Sequence, residues 1–274
     1  MKNILILMAI VFLPMVSQAQ KLEGMKDALR SGSSSGGGRG EGGGGGRGGN
    51  SNSIWGDLIL NIVFEPTWWL LFRFPNEAPA NYVGYNDYPY ADQENGLYLP
   101  PDYENQKRMS LQLVGHLQSD QDAVYGAFLQ AKWSPNRALT LDVNHLQLLE
   151  TLDDNPDGGT DHFAITNFNL AYNRIHHEKF QLWWGAGLML LNGGGNEVLY
   201  GSPTVNAGLT WYFKRPLSLY ADTQIGAPNG VYARQNQVRM QVHLKRFMVY
   251  AGYQGVKVGN VGLPSVAVGS GVWF

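Results

Sequence analysis

The residues of this chain that have chemistry to offer fall into three groups. The stretch 150–162, E-T-L-D-D-N-P-D-G-G-T-D-H, gathers Asp153, Asp154, Asp157, Asp161 and His162. Carboxylates beside glycine suit a hard cation such as Ca²⁺, which takes oxygen ligands. The spacing does not follow the EF-hand pattern, so an acidic solvated loop is expected and no metal is assigned. The second group is the histidines: His116, His145 and His243 lie in mostly apolar stretches, and His176-His177 lies where a short turn is expected. A hydrolase would set one of them as general base against a serine. The sequence places no serine opposite any of them. The third group is a set of polar and aromatic residues at alternate positions of apolar runs: Gln130, Lys132, Asp142, Gln181, Trp183, Tyr212, Tyr220, Asp222, Gln224, Arg239, Gln241, His243 and Lys245. If these share one interior, its charges need partners, because an unpaired buried charge is costly. Pairing across a hairpin sets Asp222 near Gln241 and diagonal to Arg239 and His243. The expected result is a network that fills the interior, with Trp183, Tyr212 and Tyr220 adding bulk; a lined passage for a small polar solute is the alternative. No catalytic residue and no cofactor is assigned.

A series of strands must position that third group. From Met109 onward, apolar and polar residues alternate with the period of two that a strand imposes. Tyr125, Ala127, Leu129, Ala131 and Trp133 oppose Gln130 and Lys132; Phe168, Leu170 and Tyr172 oppose Asn167, Asn169 and Asn173. Val205, Ala207, Leu209, Trp211 and Phe213 oppose Thr204, Asn206, Thr210 and Tyr212, and Val238, Met240, Val242 and Leu244 oppose Arg239, Gln241, His243 and Lys245. In the third strand, about 138–149, the phase slips near His145, which predicts a bulge. Connections are short at 134–136, 174–179, 214–216 and 245–246, and long at 150–161, 191–203 and 227–237. Aromatics collect beside the short ones. Rows of Leu, Val and Trp on the outward face do not suit a secreted β-sandwich, whose outer faces are polar. They suit an all-β transmembrane antiparallel up-and-down barrel of about ten strands, or about twelve if residues 54–74 add a hairpin, since bacterial barrels have even counts.

The last strand, P-S-V-A-V-G-S-G-V-W-F at 264–274, puts Val266, Val268, Ser270, Val272 and Phe274 on one face and Ala267, Gly269, Gly271 and Trp273 on the other. It resembles the closing strand of Gram-negative outer-membrane β-barrels. The resemblance implies pairing of the last strand with the first, Val272 and Phe274 as part of an assembly signal read by the barrel-assembly machinery, and an outer-membrane location in contact with outer-membrane lipid. The acidic loop with its Asp-His pair also resembles the omptin-type barrel proteases, but both pairs here fall in one loop, so no residue roles carry over.

The rest of the chain is consistent with that route. Residues 1–19 read as a signal peptide, with Lys2, an apolar run and Ser17-Gln18-Ala19, which predicts cleavage between Ala19 and Gln20. Cysteine is absent, which excludes thiol chemistry and disulfide scaffolds, and a net charge of −2 offers nothing to nucleic acid. A hydrophobic content of 44% with a negative mean hydropathy fits alternating strands. Residues 20–53 read as a disordered Gly-rich tail in which 21–30 can form a marginal helix. Residues 54–108 read as a Trp-rich segment followed by a long irregular loop, and 109–274 as the barrel. The expected function is structural, adhesive or narrow small-solute passage, with no catalysis; a barrel-embedded hydrolase acting on lipid or peptide and a soluble binding module are the alternatives. A periplasmic or surface protein partner would use the tail or the long loop.

Overall fold

The computed structural model describes residues 21–32, 84–92, 94–99, 106–120, 123–152, 159–193 and 198–274. Ten antiparallel strands close into one barrel. They are β3 (Ser110–Ser119), β4 (Val124–Ser134), β5 (Leu139–Leu152), β6 (Gly159–His176), β7 (Phe180–Asn192), β8 (Leu199–Lys214), β9 (Leu217–Gly226), β10 (Ala233–Leu244), β11 (Phe247–Val258) and β12 (Val261–Trp273). Each pairs with its sequence neighbour, and β12 returns to β3 through the register Val266↔Ser119 to Trp273↔Gln112. That pairing closes the ring at ten strands and leaves no place for a further hairpin between first and last. Residues 54–74, where the extra hairpin was expected, lie outside the described residues.

The wall follows from alternation. Outward positions hold Leu, Val and aromatic side chains, among them Leu117 at 72% exposure and Leu129 at 65%. An apolar surface on that scale is stable only against lipid. Trp133, Trp211, Phe213, Phe247 and Phe274 stay exposed beside the short turns, the level at which aromatic rings sit between lipid and water. The molecule is therefore a membrane-spanning barrel of the outer-membrane kind. We call the two ends the turn end and the loop end.

Three sequence expectations change. The bulge near His145 is absent: β4, β5 and β6 run in continuous register through it. What changes there is the lining, since the inward residues go from Asp142 and Asn144 to Leu146 and Leu148. An apolar residue facing inward looks, in sequence, like a shift of phase. Register does slip elsewhere, between Asn173 and Ile175 and between Tyr212 and Lys214. The loop 227–237 is shorter than expected because β10 already begins at Ala233. Finally, the tail 20–53 is not disordered throughout: Lys21–Gly32 forms a helix, α1, docked at the loop end.

The expected irregular loop also holds ordered structure. Two short strands, β1 (Gly84–Tyr85) and β2 (Tyr98–Leu99), pair with each other, and Tyr85 bridges to Lys107. This segment sits across the turn end. The barrel thus carries one N-terminal element at each mouth.

Candidate functional site: a lumen with a charged waist and two stoppers

At the waist, one chain of side-chain contacts spans the lumen. Arg239 Nη2 on β10 donates to Gln130 Oε1 on β4 at 3.3 Å, and Gln130 Nε2 donates to both carboxylate oxygens of Asp142 at 3.0 Å. Lys132 Nζ lies 3.5 Å from Asp142 and donates across the lumen to Tyr220 Oη at 2.7 Å. Tyr220 in turn donates to Asp222 at 3.1 Å. Strand alternation is what aims these residues inward from β4, β5, β9 and β10. Two cations and two carboxylates are present, so the charges balance. The cations also lie on aromatic faces: Lys132 Nζ is 4.4 Å from the Trp183 ring centre and 4.5 Å from Tyr220, and Arg239 stacks 3.9 Å over Tyr220. Such contacts strengthen when water is excluded. Gly208 permits this packing, because a side chain there would strike the Trp183 ring.

Of the expected interior residues, Gln130, Asp142, Gln181, Trp183, Tyr212, Tyr220, Gln224, Arg239, Gln241 and His243 are buried, and Lys132 and Asp222 are half-buried. Lys245 is not among them. It is exposed in the two-residue turn between β10 and β11 with φ of 58°, because β10 ends at Leu244. The expected neighbour of Asp222 is also corrected: Asp222 faces Gln237, and Gln241 faces Ser218. The early start of β10 moves the register by four residues. Arg239 remains diagonal to Asp222, and His243 does not.

The same register brings together a pair the sequence did not show. Ser218 Oγ lies 2.7 Å from His243 Nε2 and 3.1 Å from Gln241 Oε1. Ser218 is fully buried, the ring of Tyr90 covers His243 at 5.7 Å, and His243 Nδ1 meets no partner among the described residues. His116 stacks on Phe128 and contacts Tyr250 and Gln118 within the lumen, whereas His145 lies on the outer wall against Thr166.

The turn-end stopper docks on three barrel turns or strand ends. Tyr85 Oη donates to the Asn136 carbonyl at 2.7 Å, Tyr90 Oη to the Leu217 carbonyl at 2.6 Å, and the Gly96 amide to the Glu178 carbonyl at 2.7 Å. A side chain at Gly96 would run into Tyr212 and the Glu178 carbonyl, so glycine is required for the approach. Tyr85, Tyr90, Leu97 and Tyr98 then pack with Tyr212 and Trp273. Between stopper and waist is a cavity of about 50 Å³, bordered by Lys132, Gln181, Trp183 and Gln241. That is room for a water or two.

Burial pushes the Tyr85 and Tyr90 phenols up to about 12, and Tyr98 is raised as well by burial and by its neighbour Tyr85. A phenol raised in the folded state adds stability that is complete below its unfolded value and is lost as pH climbs through the folded one. The stopper should therefore hold below about pH 10 and loosen between about 10 and 12. The expected result is a phenolate absorbance step near pH 12 that is present in the native protein and missing after Tyr85→Phe and Tyr90→Phe. A step centred near 10 would show these phenols to be solvated.

The loop-end stopper is α1. Leu22, Met25 and Leu29 recur at the spacing of one helix face and are fully buried against Phe128, Leu146, Leu148, Phe163, Met189 and Leu191. Carboxylates on the barrel rim fix its polar groups. Glu150 accepts from the backbone amides of Lys21 and Leu22 at 2.8 and 2.9 Å, satisfying donors that a helix start leaves open. Lys21 pairs with Asp120 at 2.8 Å, and Lys26 pairs with Asp161. Asn229 donates to the Leu29 carbonyl at the other end. Asp161 thus has a structural partner, while Asp153, Asp154 and Asp157 lie outside the described residues, and His162 is exposed. Ala19 and Gln20, the expected cleavage point, also lie outside them.

No family model matches the chain, and no curated protein matches it. Among solved structures, the N-terminal β-barrel domain of Pseudomonas aeruginosa OprF is 14% identical, covering 62% of this chain and 100% of that one with a TM-score of 0.31. An outer membrane channel from Pseudomonas putida F1 is 10% identical over 64% of this chain and 99% of its own, with a TM-score of 0.38. Yersinia pestis Ail is 15% identical over 61% and 100%, with a TM-score of 0.34. Likeness at this level concerns architecture and does not extend to ligand or activity.

Proposed function

We propose that this protein is a non-catalytic outer-membrane barrel whose lumen is closed at rest, with a structural or adhesive role at the surface rather than that of an open pore. The observation that carries this reading is the charged waist lying between two stoppers. A ring of about ten strands leaves an interior that side chains can fill, and here Arg239, Gln130, Asp142, Lys132 and Tyr220 join across it. An ion crossing would have to break that chain and displace both mouths. The expected assembly route, through the barrel-assembly machinery with Val272 and Phe274 as signal, belongs to the same reading.

The test is single-channel recording of the full chain refolded into planar bilayers, with folding checked by heat-dependent gel mobility. A folded barrel should give no discrete steps. Reproducible steps that change on Asp222→Asn or Lys132→Met would establish an open passage and overturn the closed-lumen reading.

A further inference from the structure

The loop-end chamber is an apolar bowl with an acidic rim. Phe128, Leu146, Leu148, Phe163, Met189 and Leu191 line its wall, where barrel interiors are more often polar. Asp120, Glu150 and Asp161 stand at its edge, and every one of them meets a positive or N–H group of α1. Two facts set α1 apart from the wall that holds it. It takes no part in the strand ladder, whose ten strands close without it. As a helix of 12 residues with glycine at its fourth and last positions, it also lacks the length and composition to be helical alone. Its shape is imposed by the chamber. The chamber is therefore complementary to a helix with an apolar stripe and basic residues at the positions that face the rim.

We propose that this chamber is a binding site for a basic amphipathic helix of a second polypeptide, and that α1 occupies it in cis as a competing ligand. The recognition is of the helix-in-groove kind, read by anchors at the positions of Leu22, Met25 and Leu29. Charge selects the partner. With α1 gone, Asp120 and Asp161 would lose the lysines that face them, and a neutral or acidic helix would not replace those cations, whereas Glu150 asks only for the amides of a helix start. This inference does not depend on whether the waist conducts, since the chamber lies on the loop-end side of it.

The probe is a fluorescent peptide of sequence K-L-E-G-M-K-D-A-L-R-S-G, residues 21–32, added to the full chain in lipid nanodiscs. The host carries Met25→Asp to release its own helix, with Leu29→Asp as a second host should the first fold poorly. Saturable anisotropy change is expected with the released host, and binding about a hundredfold weaker or more with the native chain, where α1 competes at high effective concentration. Asp120→Asn with Asp161→Asn in the released host should weaken binding at least about tenfold, the loss expected of two charge-assisted contacts to lysines. A peptide with alanine at its three apolar anchors should not bind. Absence of saturable binding to a folded released host overturns the proposal, as does equal binding to the native chain. Binding that survives loss of the two rim carboxylates overturns its basic selectivity.

Discussion

Replacing Lys132 by methionine should cost the barrel about 3–5 kcal/mol of unfolding free energy, the range seen when one partner of a buried ion pair is removed. Lys132 bridges Asp142 and Tyr220 directly in the waist, and through Tyr220 it reaches Asp222. Without it, two carboxylates share the lumen with Arg239 alone. Adding Asp142→Asn should restore most of the loss, because one cation and one carboxylate then remain and Gln130 keeps a polar neighbour. With Asp142→Asn alone as the fourth corner, the coupling is the cost of the double less the costs of the two singles, and its magnitude should exceed about 1 kcal/mol for residues in one network. The exposed pair Lys107–Asp87, at 3.0 Å, is the control: breaking it should change stability by no more than about 1 kcal/mol. Denaturant unfolding of the barrel in lipid vesicles reads all four. If Lys132→Met falls in the range of the exposed pair, the waist is hydrated and weakly coupled, and the closed-lumen reading loses its main support.

The strands were legible because two solvents act on them. Lipid demands Leu129 and Val238 on one face, water or buried charge demands Gln130 and Arg239 on the other, and the contrast prints a period of two onto the chain. Where the contrast fails, so does the reading. At Leu146, Leu148 and Leu149 both faces are apolar, and the resulting break looked like a bulge when the ladder was in fact continuous. The cause is α1, whose side chains make an apolar lining stable there. The local signal at 21–32 is slight, the spacing of Leu22, Met25 and Leu29 on one helix face, and a marginal helix beside a glycine run looks like tail.

The site was legible as a list and not as a set of neighbours. Alternation places a residue on the inner face but does not say what it meets, which depends on register, and register depends on where each loop ends. The loop after β9 ends at Tyr232, so Asp222 meets Gln237, Ser218 meets Gln241, and Ser218 comes diagonal to His243. Lys245 kept the inward phase of β10 one step past the end of the strand, and at that point the phase no longer applies. The contacts across the lumen, such as Lys132 to Tyr220, connect strands far apart in sequence and follow only once ring closure between β12 and β3 is known.

Met25→Asp should expel α1 while leaving the ten-stranded wall intact. Met25, Leu22 and Leu29 are each fully removed from solvent, and burial of a side chain of this size contributes about 1.5–3 kcal/mol. An aspartate at the centre of that stripe forfeits one such contribution and would place a carboxylate among Phe128, Leu146 and Leu148. Desolvating it there costs several kcal/mol more on the scale of about 2–7 kcal/mol known for an unpaired polar group, and a charge costs more still. Undocking the helix avoids that cost, so the docked population should fall by about a thousandfold, each 1.4 kcal/mol being tenfold. Lys26, at 5% exposure and paired with Asp161 in the native protein, reports the change: trypsin should cut after Lys26 in the variant and spare it in the native chain. Met25→Leu, which conserves volume and polarity, should stay protected because such exchanges cost less than about 1.5 kcal/mol. Heat-dependent gel mobility should be unchanged in both, since the ladder from β3 to β12 does not include α1. Protection of Lys26 in Met25→Asp equal to that of the native chain would mean that the rim contacts of Glu150, Asp120 and Asp161 hold the helix alone. The apolar stripe would then have to be dropped as the source of docking.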